Sequence, residues 1–309
     1  MNADVQETQK LSLWNRFLQI ASFPVLMALV LTWGVFGKML KLSEMASMII
    51  AFVMTAVVLA WIERKIPYQN QWNESQDDVK TDAGYLGLLL LLDSVGKGVL
   101  YAGGVWFVST YGQWTLLWPS QLPMVVQVIL AIVIGEFLPY WYHRISHEYG
   151  GILWKIHSIH HSSERLYWLN GARFHPINAF LNASLRFLPL MLLGTGAEAL
   201  YWTALIIVVL GFFNHANADV KLGPLNWFFG MSELHRWHHH KTIELSNANY
   251  GGVTIFWDIV FGTRIHPKEW LPADQVGLQE DSPRPHSILR NMLAPFCDCW
   301  AIPPKAQAE

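Results

Sequence analysis

The chain has 309 residues, of which 52% are hydrophobic and only 14% are charged, and its formal net charge is -2. An average soluble protein carries about 25% charged residues, so this composition excludes an ordinary soluble domain and favours a protein of the lipid bilayer. The absence of a basic excess argues against a nucleic-acid partner, because little would meet the phosphates. Sixteen tryptophans and ten tyrosines fit a membrane location, where such rings collect at the interfaces.

Long apolar segments predict membrane-spanning helices before the first histidine. They are Phe17–Gly37, Met45–Ile62, Ala83–Thr110 and Leu122–His143. The first is uncharged throughout and long enough to cross the hydrocarbon core of roughly 30 Å. The third carries Asp93 and Lys97, which are one helical turn apart and could pair. The fourth leads through Glu136 directly to the first histidine. We therefore expect about four transmembrane helices.

A later apolar stretch, Ile177–Phe213, is interrupted by the turn sequence Gly194–Gly196. Its halves of about 17 residues are marginal for complete spans, so two spans and a helical hairpin that dips into the membrane both remain open. Lysines and arginines flanking the first two spans place the N-terminus in the cytoplasm. The sequence thus predicts an all-α integral membrane protein with about four transmembrane helices, a helical hairpin and a cytosol-facing, histidine-rich metal domain.

Three regions follow from these segments. Residues 1–121 hold the N-terminal membrane helices, 122–266 a catalytic region with the histidine clusters, and 267–309 a polar C-terminal tail. A multi-pass protein of this kind fits a bacterial inner membrane or an endoplasmic reticulum membrane. We favour the bacterial inner membrane because no retrieval signal ends the chain.

All 13 histidines follow residue 142, and most fall into three short clusters. One H-x-x-x-H and two H-x-x-H-H patterns contain His143, His147, His157, His160, His161, His235, His238 and His239. Residues three and four positions apart share a helix face, so each cluster presents its imidazoles in one direction. Unbound, these rings would leave many buried polar groups without partners, so the clusters predict metal binding. His175 and His215 stand alone, each beside an end of the apolar hairpin.

The number of ligands bears on the number and kind of metals. A structural zinc takes four ligands and a catalytic zinc three, so these histidines overfill one site and favour two metals of higher coordination number. Imidazole binds iron, zinc, copper and nickel alike, so the ligand count is the argument for two irons. Carboxylates behind the ligands would balance the metal charge. The candidates by proximity in sequence are Glu148, Glu164, Asp219, Glu233 and Asp258.

The order and spacing of the three clusters resemble the fatty acid hydroxylase/sterol desaturase superfamily, with His157 only ten residues after His147. Further segments resemble the same superfamily: Phe174-His175-Pro176, Asn214-His215-Ala216-Asn217, Asn249-Tyr250-Gly251 and Trp257–Thr263. The match covers about residues 130–265. It implies a four-span scaffold and a cytoplasm-facing pair of metals. Carried over by residue, it implies the ligands His143, His147, His157, His160, His161, His175, His215, His235, His238 and His239.

The resemblance also implies an oxidoreductase of the monooxygenase type, with two iron ions as cofactor and O2 as co-substrate. Its substrate would be a lipid or a sterol-like molecule, hydroxylated or desaturated. We expect electrons from a separate electron-transfer protein, because no fused haem domain is recognised. Which lipid reacts stays open.

Two other functions remain as alternatives. A membrane zinc hydrolase would attack a lipid amide or ester with metal-bound water. It would show three or four ligands and an acid–base carboxylate. A metal transporter or sensor would carry ionisable residues along a path through several spans. In the four apolar segments before the histidine clusters only Asp93, Lys97 and Glu136 fit that description.

Overall fold

A computed structural model describes residues 12–91, 117–278 and 287–297, together with the single positions 103, 106 and 110. Within these ranges the regular structure is helical, and extended segments pair only as isolated bridges such as Pro67 with Ala218. The all-α prediction is therefore confirmed for the described residues. The α-helices are α1 (Leu13–Met39), α2 (Glu44–Lys65), α3 (79–91), α4 (Met124–Gly135), α5 (Phe137–Glu148), α6 (Gly151–His161), α7 (Pro176–Leu192), α8 (Ala197–Phe213), α9 (Ser232–His238), α10 (Ile243–Ser246), α11 (Phe256–Val260) and α12 (Ile288–Leu293).

In the part of the chain that the structure describes, three helical segments are long and apolar enough to cross a membrane: α1, α2 and the continuous run Met124–Glu148 formed by α4 and α5. The boundary between α4 and α5 falls at Glu136. Pro139 explains the break, because its ring offers no N–H to the carbonyl of Gly135 and displaces it. Most of the predicted third span, including Asp93 and Lys97, lies outside the described residues, so a count of four stays a prediction.

The apolar stretch 177–213 folds as two helices of 17 residues each, α7 and α8, joined by a turn in which Gly194 has a φ of 86°. Lys38 near the end of α1 pairs with Glu198 at the start of α8, with 2.6 Å between Nζ and Oε1. The tip of the hairpin therefore reaches the same level as the end of α1. A helix of 17 residues is about 26 Å long, close to the thickness of the hydrocarbon core.

Helices α1, α2 and α8 pack closely because small residues lie between them. A Cβ atom on Gly34 would lie 2.6 Å from side-chain atoms of both Leu205 and Trp202. Ser47 Oγ and Tyr201 Oη are hydrogen bonded across α2 and α8 at 2.8 Å. Large apolar side chains cover the outward faces of these helices, as expected where lipid replaces water.

The end of α5 and the later segments other than α7 and α8 form a cap on one end of this bundle. Buried ion pairs tie the cap to the start of α3, joining Arg165 to Asp78 just before the helix at 2.7 Å and Arg173 to Asp82 in its first turn at 2.6 Å. Part of the predicted polar tail also belongs to the cap, since Leu271 and Val276 are fully buried against it. The cap holds the segments that carry the histidines in one place.

Candidate metal centre

Nine histidines converge in the interior of the cap and form two neighbouring groups. The five-histidine group contains His143, His147, His157, His161 and His238, and the four-histidine group contains His160, His215, His235 and His239. Within each group the possible ligand atoms all lie within 4.8 Å of one another. The structure therefore brings together all but one of the ten predicted ligands, and distributes them between two possible metal positions.

Helical geometry explains how each H-x-x-H-H cluster serves both groups. In α6, His157 and His161 belong to the five-histidine group, whereas His160 points into the four-histidine group. At the end of α9, His235 and His239 share the four-histidine group, and His238 joins the other. Positions i and i+4 differ by about 40° around a helix and i+3 lies about 60° to the other side, so one cluster reaches two points.

The separations between ring nitrogens match the requirements of a metal ion. Nε2 of His161 lies 3.1 Å from Nε2 of both His147 and His157. Nε2 of His215 lies 3.0 Å from that of His235 and 3.1 Å from that of His160. Nitrogens held about 2.1 Å from one metal are about 3.0 Å apart at a right angle and about 3.4 Å apart at a tetrahedral angle. The shorter spacing favours right-angled, higher-coordinate geometry.

Backbone carbonyls fix the tautomer of two rings in the five-histidine group. Nδ1 of His143 donates to the carbonyl of Tyr250 at 2.6 Å, and Nδ1 of His238 donates to that of Ala248 at 2.9 Å. A carbonyl can only accept, so the proton resides on Nδ1 and the lone pair of Nε2 faces the centre. Neither Nε2 atom has a hydrogen-bond partner within the described ranges. A cation would satisfy both buried acceptors, so these residues fit a metal.

Asparagine side chains orient two further rings. Oδ1 of Asn170 lies 2.8 Å from Nδ1 of His215, and Oδ1 of Asn178 lies 3.0 Å from Nδ1 of His157. The amide of Asn170 cannot be reversed, because its Nδ2 donates to the carbonyl of Arg165 at 2.5 Å. Nδ1 of His215 is therefore a donor and its Nε2 is free to bind a metal. Neither asparagine belongs to a pattern that marks it as functional in the sequence.

Burial keeps the imidazoles neutral. Desolvation lowers the pKa of His215 to about 3, and it lowers the pKa values of His157 and His161 well below the ordinary value, with neighbouring imidazoles adding to the effect. The pKa values of His235 and His239 fall for the same reasons. A neutral imidazole is the form that binds a metal, so the rings are ready as ligands at neutral pH.

Asp258 acts on the centre through a peptide group. Its carboxylate is fully buried and accepts the N–H of Gly251 at 2.8 Å. The carbonyl of that same peptide unit, which belongs to Tyr250, accepts Nδ1–H of His143. Negative charge on Asp258 polarises the peptide and strengthens its hydrogen bond to the ring. This series of hydrogen bonds resembles the carboxylate–histidine–metal arrangement, with a peptide group inserted between the carboxylate and the ring.

The backbone conformation of the loop explains the residues of the Asn249-Tyr250-Gly251 motif. Asn249 has a φ of 53°, a left-handed conformation that asparagine tolerates better than most residues. A Cβ on Gly251 would lie 2.1 Å from the carbonyl oxygen of Thr254. Both residues shape the loop that presents the Tyr250 carbonyl to His143.

The other carboxylates predicted to stand behind the ligands have different contacts. Glu148 accepts from Arg144 at 2.9 Å and from the Tyr250 hydroxyl at 3.2 Å. Asp219 accepts from Gln19 Nε2 at 2.6 Å. Glu233 accepts from the backbone N–H of residue 222 at 2.7 Å. The side chain of Glu164 is exposed to solvent.

Among the described residues, two histidines lie beside the centre but belong to neither histidine group. His175 caps the start of α7, where its Nδ1 accepts from the Ile177 N–H at 3.1 Å and its Nε2 donates to the Met292 carbonyl at 3.2 Å. His240 accepts the Thr242 N–H through Nδ1 at 2.8 Å. Hydrogen bonding therefore occupies both ring nitrogens of His175, which separates it from the other predicted ligands.

Comparison with known proteins places this geometry in a family. The fatty acid hydroxylase family model matches residues 128–263. Ornithine lipid hydroxylase OlsE of Rhizobium tropici is 35% identical over 226 residues, which cover 71% of this chain and 67% of the relative. The chain belongs to the fatty acid hydroxylase family. This membership confirms the resemblance found in the sequence and makes the chain an enzyme of the hydroxylase type rather than a transporter.

Other members of the fatty acid hydroxylase family are more distant. Human alkylglycerol monooxygenase is 28% identical over 216 residues, which cover 69% of this chain and 45% of the relative. The very-long-chain aldehyde decarbonylase GL1-8 of Oryza sativa subsp. indica is 27% identical over 152 residues, covering 48% of this chain and 56% of the relative. The chain thus spans less than half the length of the human relative. No solved structure matches the chain.

Proposed function

We propose that the chain is a di-iron, oxygen-dependent hydroxylase of a membrane lipid, supplied with electrons by a separate protein. The observation that supports two irons is the division of nine imidazoles, eight of them buried, into groups of five and four, with neighbouring nitrogens 3.0–3.1 Å apart. Five nitrogens at one position exceed the needs of zinc and leave room for a higher-coordinate metal. When bound, a pair of irons supplies the activation of dioxygen, which amino-acid side chains cannot perform.

The residues of the chain prepare the site for this chemistry. His143 and His238 hold their lone pairs toward one metal position through fixed tautomers, and His215 does so at the other. Asp258 supplies negative charge behind His143. All of these side chains are buried or nearly so, so water is kept away from the oxidising centre.

A lipid substrate is supported by the position of the centre and by the relatives. The helix α5 carries His143 and His147 at the end of a candidate membrane span, so the metal positions lie where a lipid in one leaflet can reach them. Relatives are named for ornithine lipid hydroxylation and for alkylglycerol monooxygenation. These names favour hydroxylation over desaturation. In the proposed reaction a C–H bond becomes C–OH with one atom of O2, while two electrons and two protons convert the other atom to water.

The proposed location is the inner membrane of a bacterium, with the metal centre on the cytoplasmic face. A bacterial relative supports the compartment. Cytoplasmic electron-transfer proteins could then reach the cap directly.

The test combines metal analysis with product analysis. Protein purified in detergent and loaded anaerobically with ferrous iron should hold close to two irons per chain. With reductant, 18O2 and a bacterial lipid extract, we expect a lipid product heavier by 18 Da. His160→Ala should abolish the product, whereas the matched variant His240→Ala should retain it. Full iron loading without any oxidised lipid would overturn the proposal, a loss of 2 Da would indicate a desaturase, and lipid hydrolysis with zinc would favour the hydrolase alternative.

A further inference from the structure

Polar side chains line the face of α7 that lies toward α5, although α7 belongs to an apolar hairpin. Asn178, Asn182 and Arg186 recur at intervals of four residues and therefore share one side of the helix. Contacts at both ends establish this orientation. The Tyr142 hydroxyl donates to Oδ1 of Asn178 at 3.2 Å, and Nη2 of Arg186 pairs with Oε2 of Glu136 at 2.5 Å. This donor row of Asn178, Asn182 and Arg186 runs from the metal centre into the membrane bundle.

The protein leaves hydrogen-bond donors of this row unused. Nδ2 of Asn178 and Nε of Arg186 are both buried without a partner among the described residues, and Asn178 is completely buried as a residue. Asn182 is half-buried, and its side chain makes no hydrogen bond in the part of the chain that the structure describes. Unsatisfied polar groups are costly where lipid excludes water, and polar residues inside a membrane bundle usually mark a binding path. A ligand with oxygen acceptors would satisfy this row.

The charges around Arg186 indicate that the ligand is neutral. Glu136 is almost completely buried, pairs with Arg186, and also accepts the N–H groups of Gly252 at 2.7 Å and Val253 at 3.0 Å. Gly135 permits this pairing, because a Cβ there would lie 3.3 Å from Cγ of Arg186. The positive charge of Arg186 is thus compensated within the protein. The Nε–H group of Arg186 can therefore donate to a ligand, while the guanidinium charge is already balanced by Glu136. Such a donor suits a carbonyl or ether oxygen better than a phosphate or carboxylate.

We propose that the donor row binds the neutral carbonyl groups of an acyl amide or ester lipid and so selects the carbon that is oxidised. This inference rests on the proposed function and names its substrate class. The row begins beside the centre, since Oδ1 of Asn178 also lies 3.0 Å from Nδ1 of His157. From Asn178 to Arg186 the helix advances about 12 Å, so the oxidised carbon lies within about ten bonds of the bound carbonyl. A sterol or a plain hydrocarbon would leave the donors unsatisfied.

Binding of matched probes tests this proposal. The full iron-loaded chain in nanodiscs, kept without oxygen to prevent turnover, is titrated with tritiated N-methylhexadecanamide, octadecane and hexadecanoate. The wild-type chain should prefer the amide over the alkane. Asn182→Leu keeps the side-chain volume and removes no hydrogen bond to a described residue, so the fold should survive. It should reduce the amide preference about two- to tenfold, the usual effect of one lost hydrogen bond. Phe180→Leu, on the exposed face of α7, is the matched control and should not change the preference.

The outcomes separate this proposal from the proposed function. An equal preference for the amide over the alkane in the wild-type chain and in Asn182→Leu would overturn the proposal that the donor row binds the lipid. Tighter binding of hexadecanoate than of the amide would overturn it too. His160→Ala should lose lipid oxidation while it keeps the amide preference. Loss of oxidation therefore reports on the metal centre, and loss of the preference reports on the donor row.

Discussion

At the residue scale, the centre depends on which imidazole belongs to which group. His160 lies in the four-histidine group and His238 in the five-histidine group, although both occupy the fourth position of the same H-x-x-H-H pattern. The two variants His160→Ala and His238→Ala should therefore deplete different metal positions. We expect each to abolish lipid oxidation and to reduce the iron content from two toward one, measured by elemental analysis and Mössbauer spectroscopy.

His240→Ala is the control for this prediction, because His240 bonds to the backbone of Thr242 and lies outside both groups. It should keep both irons. If His240→Ala loses an iron while His239→Ala does not, the register of the last cluster is displaced by one residue.

The peptide link from Asp258 to His143 makes a second prediction. Asp258→Asn replaces one acceptor oxygen by a donor that would face the N–H of Tyr250 or of Gly251, both now 2.8 Å from the carboxylate. We expect a loss of about 10- to 100-fold in iron affinity or activity, the usual effect of removing an outer partner. Iron titration followed by optical absorption would measure it.

Glu233→Gln is a matched comparison, since that carboxylate also accepts a backbone N–H, 2.7 Å away, but at residue 222 and away from the rings. Its iron affinity should stay close to that of the wild type. Equal losses in both variants would show that Asp258 only stabilises the loop.

At the element scale, the packing of α1 against α8 depends on the absence of a side chain at residue 34. A Cβ there would lie 2.6 Å from Leu205 and Trp202, whereas a Cβ on Gly211 in α8 would meet no atom within 4 Å. Gly34→Ala should therefore lower the melting temperature in detergent, because the helices must separate or the side chains must move. Gly211→Ala should leave the melting temperature unchanged or raise it, because alanine stabilises a helix interior by up to about 1 kcal/mol relative to glycine. A higher melting temperature for Gly34→Ala would contradict the described packing.

At the scale of the whole molecule, removal of metal should make stability depend strongly on pH. The folded state lowers the histidine pKa values, so between about pH 6.5 and those values the unfolded chain binds more protons. The stability contribution of these histidines is thus complete above pH 6.5 and is lost as the pH falls. Each one can change the unfolding free energy by up to about 1.4 kcal/mol per pH unit.

Thermal unfolding of chelated and iron-loaded protein between pH 8 and pH 5 would measure this effect. The chelated protein should melt at a nearly constant temperature above pH 7 and at steadily lower temperatures below pH 6.5. The iron-loaded protein should melt higher at every pH, because the metal binds only the folded state. A melting temperature of the chelated protein that rises on acidification would contradict the buried, neutral state of the rings.

The predicted topology of the membrane helices places the cap on the cytoplasmic side. Cysteines introduced at the exposed positions Glu164 and Lys268, in a chain whose two native cysteines are replaced, should react from the cytoplasmic side. A cysteine at Glu44, in the first turn of α2, should react only from the opposite side. Opposite sidedness of the two cap positions would be incompatible with one shared metal centre.

The sequence by itself determined the helical class and the positions of α1, α2, α7 and α8, because these depend on local periodicity. It also predicted nine histidines that the structure brings together. An apolar run long enough to cross the membrane has one stable form in lipid, the helix. Histidines spaced by three and four residues are expected to share one helix face, but in each H-x-x-H-H cluster the histidine at i+3 enters a different group from those at i and i+4. His215 was identified because the segment Asn214-His215-Ala216-Asn217 resembles the superfamily, since His215 belongs to none of the closely spaced clusters.

Only the tertiary structure decided how the nine histidines divide, which nitrogen of each faces the centre, and what stands behind them. The partners of these rings are distant in sequence: the Tyr250 carbonyl lies 107 residues from His143, and Asn170 lies 45 residues from His215. Proximity in sequence therefore selected Asp258 but gave Glu148 and Asp219 equal weight, and it missed the asparagines. The separation of His175 from the other predicted ligands has the same cause. Its Nε2 donates to the Met292 carbonyl and its Nδ1 accepts the Ile177 N–H only once the chain has folded.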